Sequence, residues 1–222
     1  MLLAKSAGLI SNKGNTLLSD RSTKAKYPDK SEDCIQSEDL IQSEDLIQPE
    51  DLIQQWVEQC VIDLSLCPFA SAPYRSGKVR IAVCDAETIS GFLATIQAEL
   101  KRLTDNPDTI ETTLIATQRL LPDFLDFNDF LTSVEAILKQ ENSEMYFQMA
   151  SFHPQYRFAG VDEDDAGNFT NRAPYPIVQW LRAASVSKAT DAMDTLAIPD
   201  ANIKKLNSLG SSKLRALFPW TE

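Results

Sequence analysis

The chain has 222 residues, 43% hydrophobic and 24% charged, an ordinary globular composition long enough for one sizeable domain plus a tail. Its 21 Lys and Arg against 32 Asp and Glu give a formal net charge of -11, which argues against attraction to phosphate backbones or anionic lipid. Neither nucleic acid nor a membrane is an expected partner, and with His153 the sole histidine and no C-x-x-C pair among Cys34, Cys60, Cys67 and Cys84, no metal site is expected.

The first 48 residues read as a disordered arm. Residues 1–30 mix Ser, Thr, Lys, Asn and Gly, with no acidic residue before Asp20 and no apolar run long enough to cross a bilayer. Reduced thiols point to an intracellular, cytoplasmic protein, or an organellar one if residues 1–30 are a presequence. The segment Ile-Gln-Ser-Glu-Asp-Leu then begins at Ile35, again at Ile41, and a third time at Ile47 with Pro49 in place of serine. A six-residue step turns about 240° on a helix, so these apolar pairs make no single stripe and the repeat reads as low-complexity sequence.

From residue 49 to 222 the patterns predict one globular domain. Leu52, Ile53, Trp56, Val57, Cys60, Val61 and Leu64 recur at helical spacing behind Pro49, Glu50 and Asp51, which suit a first turn. A loop over 69–77 leads to a strand at Val79–Cys84. Ile89, Phe92, Leu93, Ile96, Leu100 and Leu103 form a second amphipathic helix, followed by a strand at 110–117. Phe124, Phe127, Phe130, Val134, Ile137 and Leu138 mark a third helix, and Met145–Phe152 a third strand. After a loop over 154–176, helices are predicted at 177–193 and 200–209, with Gly210 as a stop. The alternation predicts an α/β fold, or alternatively α+β of ferredoxin-like type, with a sheet of about three strands covered by helices.

The 154–176 loop is the candidate site, because a loop this long inside a compact domain is usually functional or disordered, and its prolines and aromatics argue for order. His153, at its start, is the natural general acid or base near neutral pH; its alternative is a structural histidine that fixes the turn before Pro154. Arg172 precedes the predicted helix at Ile177, and Arg182 lies within it. Together they make an anion clamp for a small carboxylate or phosphate ligand, with Arg80 or Arg157 as further cations, unless they pair with Asp162–Asp165. Asn168, Thr170 and Asn171 are either ligand-facing or turn and cap residues. The acidic run fails the EF-hand pattern, since Ala166 and Ala173 stand where ligands are needed. Cys67 is a candidate nucleophile with His153 as its base, although the end of a helix does not activate a thiol. No phosphate loop, G-x-S-x-G elbow or dinucleotide fingerprint is present, and no cofactor is implied.

Trp56-Val-Glu, Leu66-Cys-Pro-Phe-Ala70, Glu111-Thr-Thr-Leu114, Ala150-Ser-Phe-His-Pro154 with Tyr156 and Phe158, and Thr170-Asn-Arg with Pro174-Tyr-Pro176 resemble the family of proteins grouped as domain of unknown function 1415. The resemblance runs from about Trp56 to Gly210. It implies a shared fold and pocket without naming a reaction, and it places Cys67, Glu111, His153, Asn168, Thr170, Asn171, Arg172 and Arg182 on motif positions. The chain departs from the family pattern at Gln179 (His), Ala183 (Glu), Ser65 (Asn) and Ala173 (Ser), which implies altered chemistry if the missing His and Glu act. Two functions follow: an enzyme acting on a small anionic metabolite, with His153 as acid or base and Arg172 and Arg182 as clamp, or a non-catalytic ligand-binding or protein-interaction module.

Overall fold

The computed structural model describes residues 47–191 and 197–221; the arm expected over 1–48 lies outside them except for Ile47 and Gln48. Pro49 occupies the first helical turn with Glu50 and Asp51 beside it, favourable charges at a helix N-terminus, and starts α1 (Pro49–Trp56). The predicted first helix continues not as α-helix but as a π turn over Val57–Ile62. A short helix α2 (Ser71–Arg75) interrupts the expected loop, and then come β1 (Val79–Cys84), α3 (Ile89–Asp105), β2 (Thr112–Thr117), α4 (Phe124–Gln140) and β3 (Phe147–Phe152). Asp123 caps α4 by accepting from the Leu125 and Asp126 N–H groups, and Thr88 caps α3 through Gly91.

The expectation fails at Ile177. Ile177–Arg182 is a strand, β4, and helix begins only at α5 (Ala183–Asp191); α6 (Ile198–Leu209) and α7 (Ser211–Leu217) follow. Ile-Val-Gln-Trp-Leu-Arg is a short apolar run whose periodicity does not separate strand from buried helix, and its branched and aromatic residues favour the strand once a partner is available. The sheet therefore has four strands, in the order β1-β2-β4-β3. Strands β1 and β2 are parallel, while β4 runs antiparallel to both β2 and β3, so β1, β2 and β3 share one direction.

Strand alternation sends the two sheet faces into two cores. Val178, Trp180, Ile115 and Phe147 meet Phe92, Ile96, Leu100, Phe127 and Val134, so α3 and α4 cover one face. Ile177, Leu114, Ala116 and Phe152 meet Ile53, Trp56, Cys60, Leu206 and Phe218, so α1 and the C-terminal helices cover the other. The result is a three-layer α/β sandwich with one mixed sheet. Both inner strands are shielded on both faces, and all six residues of β2 are buried. The Trp180 indole donates to the Ile96 carbonyl at 3.1 Å, which satisfies the one polar atom of the largest buried side chain.

Arg80 does not reach the candidate site. It forks onto Glu99 of α3, with Nε 2.7 Å and Nη2 3.0 Å from the carboxylate oxygens, and Arg102 adds a third contact at 3.3 Å. Glu99 is buried, and this pair of arginines is what makes its burial tolerable.

Ser65 sits at φ 50°, in the left-handed region, where a serine side chain is unfavourable and asparagine or glycine is at home. The turn is held from α6, whose Asn202 amide donates to the Leu66 carbonyl at 2.8 Å and whose Lys205 ammonium donates to the Leu64 carbonyl at 2.6 Å. Replacing Ser65 by Asn or Gly removes backbone strain without touching these bonds. Either variant is expected to gain about 0.5–1 kcal/mol, read as a higher urea midpoint with an unchanged slope.

Candidate functional site

Because β1, β2 and β3 run the same way, the segments that leave them emerge at one edge of the sheet, and the 153–176 segment must stay there to deliver β4 back between β2 and β3. His153 is the first residue of that segment and is fully buried. Its Nε2 lies 3.0 Å from the Leu121 carbonyl, and its Nδ1 accepts the Gln155 N–H at 3.0 Å. A carbonyl can only accept, so the ring is the neutral Nε2–H tautomer with both nitrogens occupied. It packs against the rings of Phe124 and Phe127 at 5.6 and 5.2 Å, on the α4 side of the sheet. Burial pushes its pKa below the usual histidine value, against a weaker opposing pull from the Leu121 carbonyl and Asp123. Leu121, at φ 60°, is a bulky residue in the left-handed region, and the imidazole N–H anchors its carbonyl there.

Asn168, Thr170 and Asn171 of the loop turn inward. The Asn168 side chain accepts the Phe158 N–H at 3.0 Å and donates to the Asp162 and Glu163 carbonyls at 2.8 and 3.0 Å. Thr170 donates to the Gly167 carbonyl at 2.7 Å and lies 3.2 Å from the Asn171 side-chain oxygen. Asn171 borders β3: its side chain donates to the Ser151 carbonyl at 3.0 Å, and its carbonyl accepts the His153 N–H at 3.2 Å. Asp165 caps a 3-10 turn over Ala166–Thr170 by accepting from Gly167. These residues are the loop's internal scaffold, the turn-and-cap alternative for Asn168, Thr170 and Asn171.

Arg172 is buried, precedes a strand rather than a helix N-terminus, and donates to the Glu163 carbonyl at 2.9 Å and the Tyr156 carbonyl at 3.5 Å, with its guanidinium 4.3 Å from the Phe169 ring centre. No carboxylate among the described residues lies within 4.0 Å of it. Burial lowers its pKa, and the nearby charges of Glu163 and Asp164 oppose that shift. Arg182 does not join it. It ends β4 opposite Phe147, the first residue of β3, so it stands at the far edge of the sheet, about 17 Å along the strand from Ile177. There its guanidinium donates to the Leu103 and Ile110 carbonyls and lies over the Phe147 ring. The expected clamp of two arginines is not assembled, and the reason is that β4 is extended.

Cys67 is buried in the α1-side core, and burial pushes its thiol above the usual value. His153 packs instead against Phe127 of the other core, and no contact joins the expected nucleophile–base pair. Among the described residues no group of three His, Cys, Asp or Glu is arranged to hold a metal ion, and no helix is long and apolar enough to cross a membrane. Of the positions that depart from the family pattern, Gln179 faces the α1-side core and donates to Thr112 at 2.9 Å, Ala183 donates its N–H to the Tyr146 carbonyl at the far edge, and Ala173 lies within the loop beside Arg172, fully buried.

Outward the loop presents Gln155, Arg157 and the acidic run Asp162–Asp165, with the half-buried rings of Tyr156 and Phe158 set between them. Phe124 of α4 touches Tyr156 at 5.0 Å, and Tyr156 touches Phe158 at 5.0 Å, so three half-buried rings form a continuous ladder from the start of α4 to the middle of the loop. Leu125, 60% exposed, stands beside Phe124 in the chain. Sequence reading assigned Phe124 to the core stripe of its helix; its place directly after an Asp N-cap, in the first turn, was the available sign that it sits at the rim.

The class this defines is a three-layer α/β domain whose sheet edge carries a rigid, internally bonded loop. Residues 48–216 match the family described as protein of unknown function (DUF1415), and the chain belongs to that family. No curated protein and no solved structure matches the chain.

Two outcomes follow from this geometry. As pH falls through about 6.5 the unfolded chain takes up a proton on His153 before the folded protein does, so stability is full above that pH and declines below it. Urea unfolding at stepwise lower pH should show this decline, and His153→Gln should flatten it. Arg172→Met removes the donor for two loop carbonyls and the contact with Phe169; it is expected to cost about 2–3 kcal/mol, measured by the same unfolding.

Proposed function

We propose that this protein is a non-catalytic interaction module whose recognition surface is the carboxyl edge of the sheet. The observation that carries the reading is the Phe124–Tyr156–Phe158 ladder, half-buried and continuous, fixed on a loop whose His, Asn and Thr side chains are all bonded to the loop itself or to its neighbours. Rigid aromatic surface with little side-chain entropy to lose is what protein recognition sites are rich in. The enzyme reading built on His153 loses its acid or base, since that imidazole is buried with both nitrogens engaged, and the anion clamp lacks its second arm.

A photo-crosslinking residue placed at Leu125 tests this against one placed at Met145, which is 87% exposed and precedes β3 at the opposite edge of the sheet. In cells that make the protein, a discrete protein adduct is expected from position 125, absent from position 145, and lost when Phe158→Ser is added. Equal labelling from both positions, or an adduct indifferent to Phe158→Ser, would overturn the reading.

A further inference from the structure

We infer that the occupant of this surface is a basic, partly apolar protein segment, one that carries Lys or Arg between apolar side chains; this rests on the reading of the carboxyl edge as a docking surface. The argument is charge complementarity along the aromatic ladder. At the Phe124 end stand Asp123 and Asp126, both exposed, in the cap and first turn of α4. At the Phe158 end stand Asp162 and Asp164, exposed and in no ion pair among the described residues, beside Glu163, which faces Arg157. The Asn168 side chain ties this acidic stretch to Phe158, bonding the Phe158 N–H and the Asp162 and Glu163 carbonyls at once.

The cations of the same edge are already matched or withdrawn. Arg119 pairs with Glu87 at 2.7 Å, Arg157 lies 3.9 Å from Glu163, and Arg172 is buried against loop carbonyls. No lysine occurs in the segments that make this edge, residues 85–88, 118–123 and 153–176. An apolar ladder flanked by carboxylates at both ends rejects acidic partners and favours a chain whose apolar side chains lie on the rings while its ammonium or guanidinium groups reach the acids or the ring faces. A second copy of this chain, with its net charge of -11, is the poorer fit.

The test uses the full-length protein and two labelled synthetic peptides, one alternating lysine with leucine and phenylalanine, the other identical but with glutamate at every lysine. Binding is read by fluorescence anisotropy at low and at near-physiological salt. The lysine peptide is expected to bind, to weaken about five-fold or more as salt rises, and to weaken about five-fold with Asp126→Lys combined with Asp164→Lys. The control Asp105→Lys combined with Glu144→Lys makes the same change in net charge away from this edge and should leave binding unchanged.

If the control pair weakens binding as much as the edge pair, the attraction is only to net charge and the inference fails. If the glutamate peptide binds equally well and Leu125→Ser or Phe158→Ser abolishes both, the docking surface survives and the basic partner does not. If Leu125→Ser and Phe158→Ser change neither peptide's binding, the docking surface itself is wrong.

Discussion

The architecture depends on one insertion: β4 lies antiparallel between two strands that run the other way. Strands β2 and β3 are both reached from the same side by a helix, and both helices cover the same face, so a strand-wide space is left between them that the chain fills last. To enter that space from the carboxyl edge, the segment after β3 cannot cross the sheet as another helix would. It has to remain at the edge and turn back on itself. The length and rigidity of the 153–176 loop, and the burial of its polar side chains, are consequences of that route.

A segment held in this way carries backbone groups that no strand or helix satisfies, and its buried polar side chains answer that need. Asn168 serves three main-chain groups, Asn171 acts as a short stand-in for a neighbouring strand beside β3, and Arg172 gathers two carbonyls while lying flat on Phe169. His153 joins this scaffold to the loop after β2, where Leu121 holds an unfavourable backbone conformation. Residue types familiar from active sites are here because long inward-facing donors and acceptors suit an irregular buried loop. Once they are bonded in this way, the surface left facing outward is made of half-buried rings, Gln155, Arg157 and carboxylates.

The arginines show how the same residue type divides its roles by position. Arg80 neutralises a buried glutamate on α3, Arg182 closes the far end of the sheet by holding the carbonyls that end α3 and precede β2, and Arg119 joins two loops on the surface through Glu87. Arg80 and Arg182 each present a planar donor with several N–H groups to two oxygens in fixed directions, which a lysine does not reproduce, whereas Arg119 makes a single exposed contact.

The amphipathic stripes of α3 and α4 and the branched run of β1 were legible in the residues, since a periodic apolar face leaves one economical way to bury it. So was the order of the loop, from its prolines and aromatics, and the scaffold role of Asn168, Thr170 and Asn171 stood among the readings the sequence allowed. The state of Ile177–Arg182 was not legible. Six mostly apolar residues carry no decisive period, and the strand forms because β2 and β3 offer it hydrogen bonds on both sides. That one decision moved Arg182 to the opposite edge of the sheet and removed the helix N-terminus beside Arg172. It is a matter of which neighbours are present in space, and local sequence has no access to that.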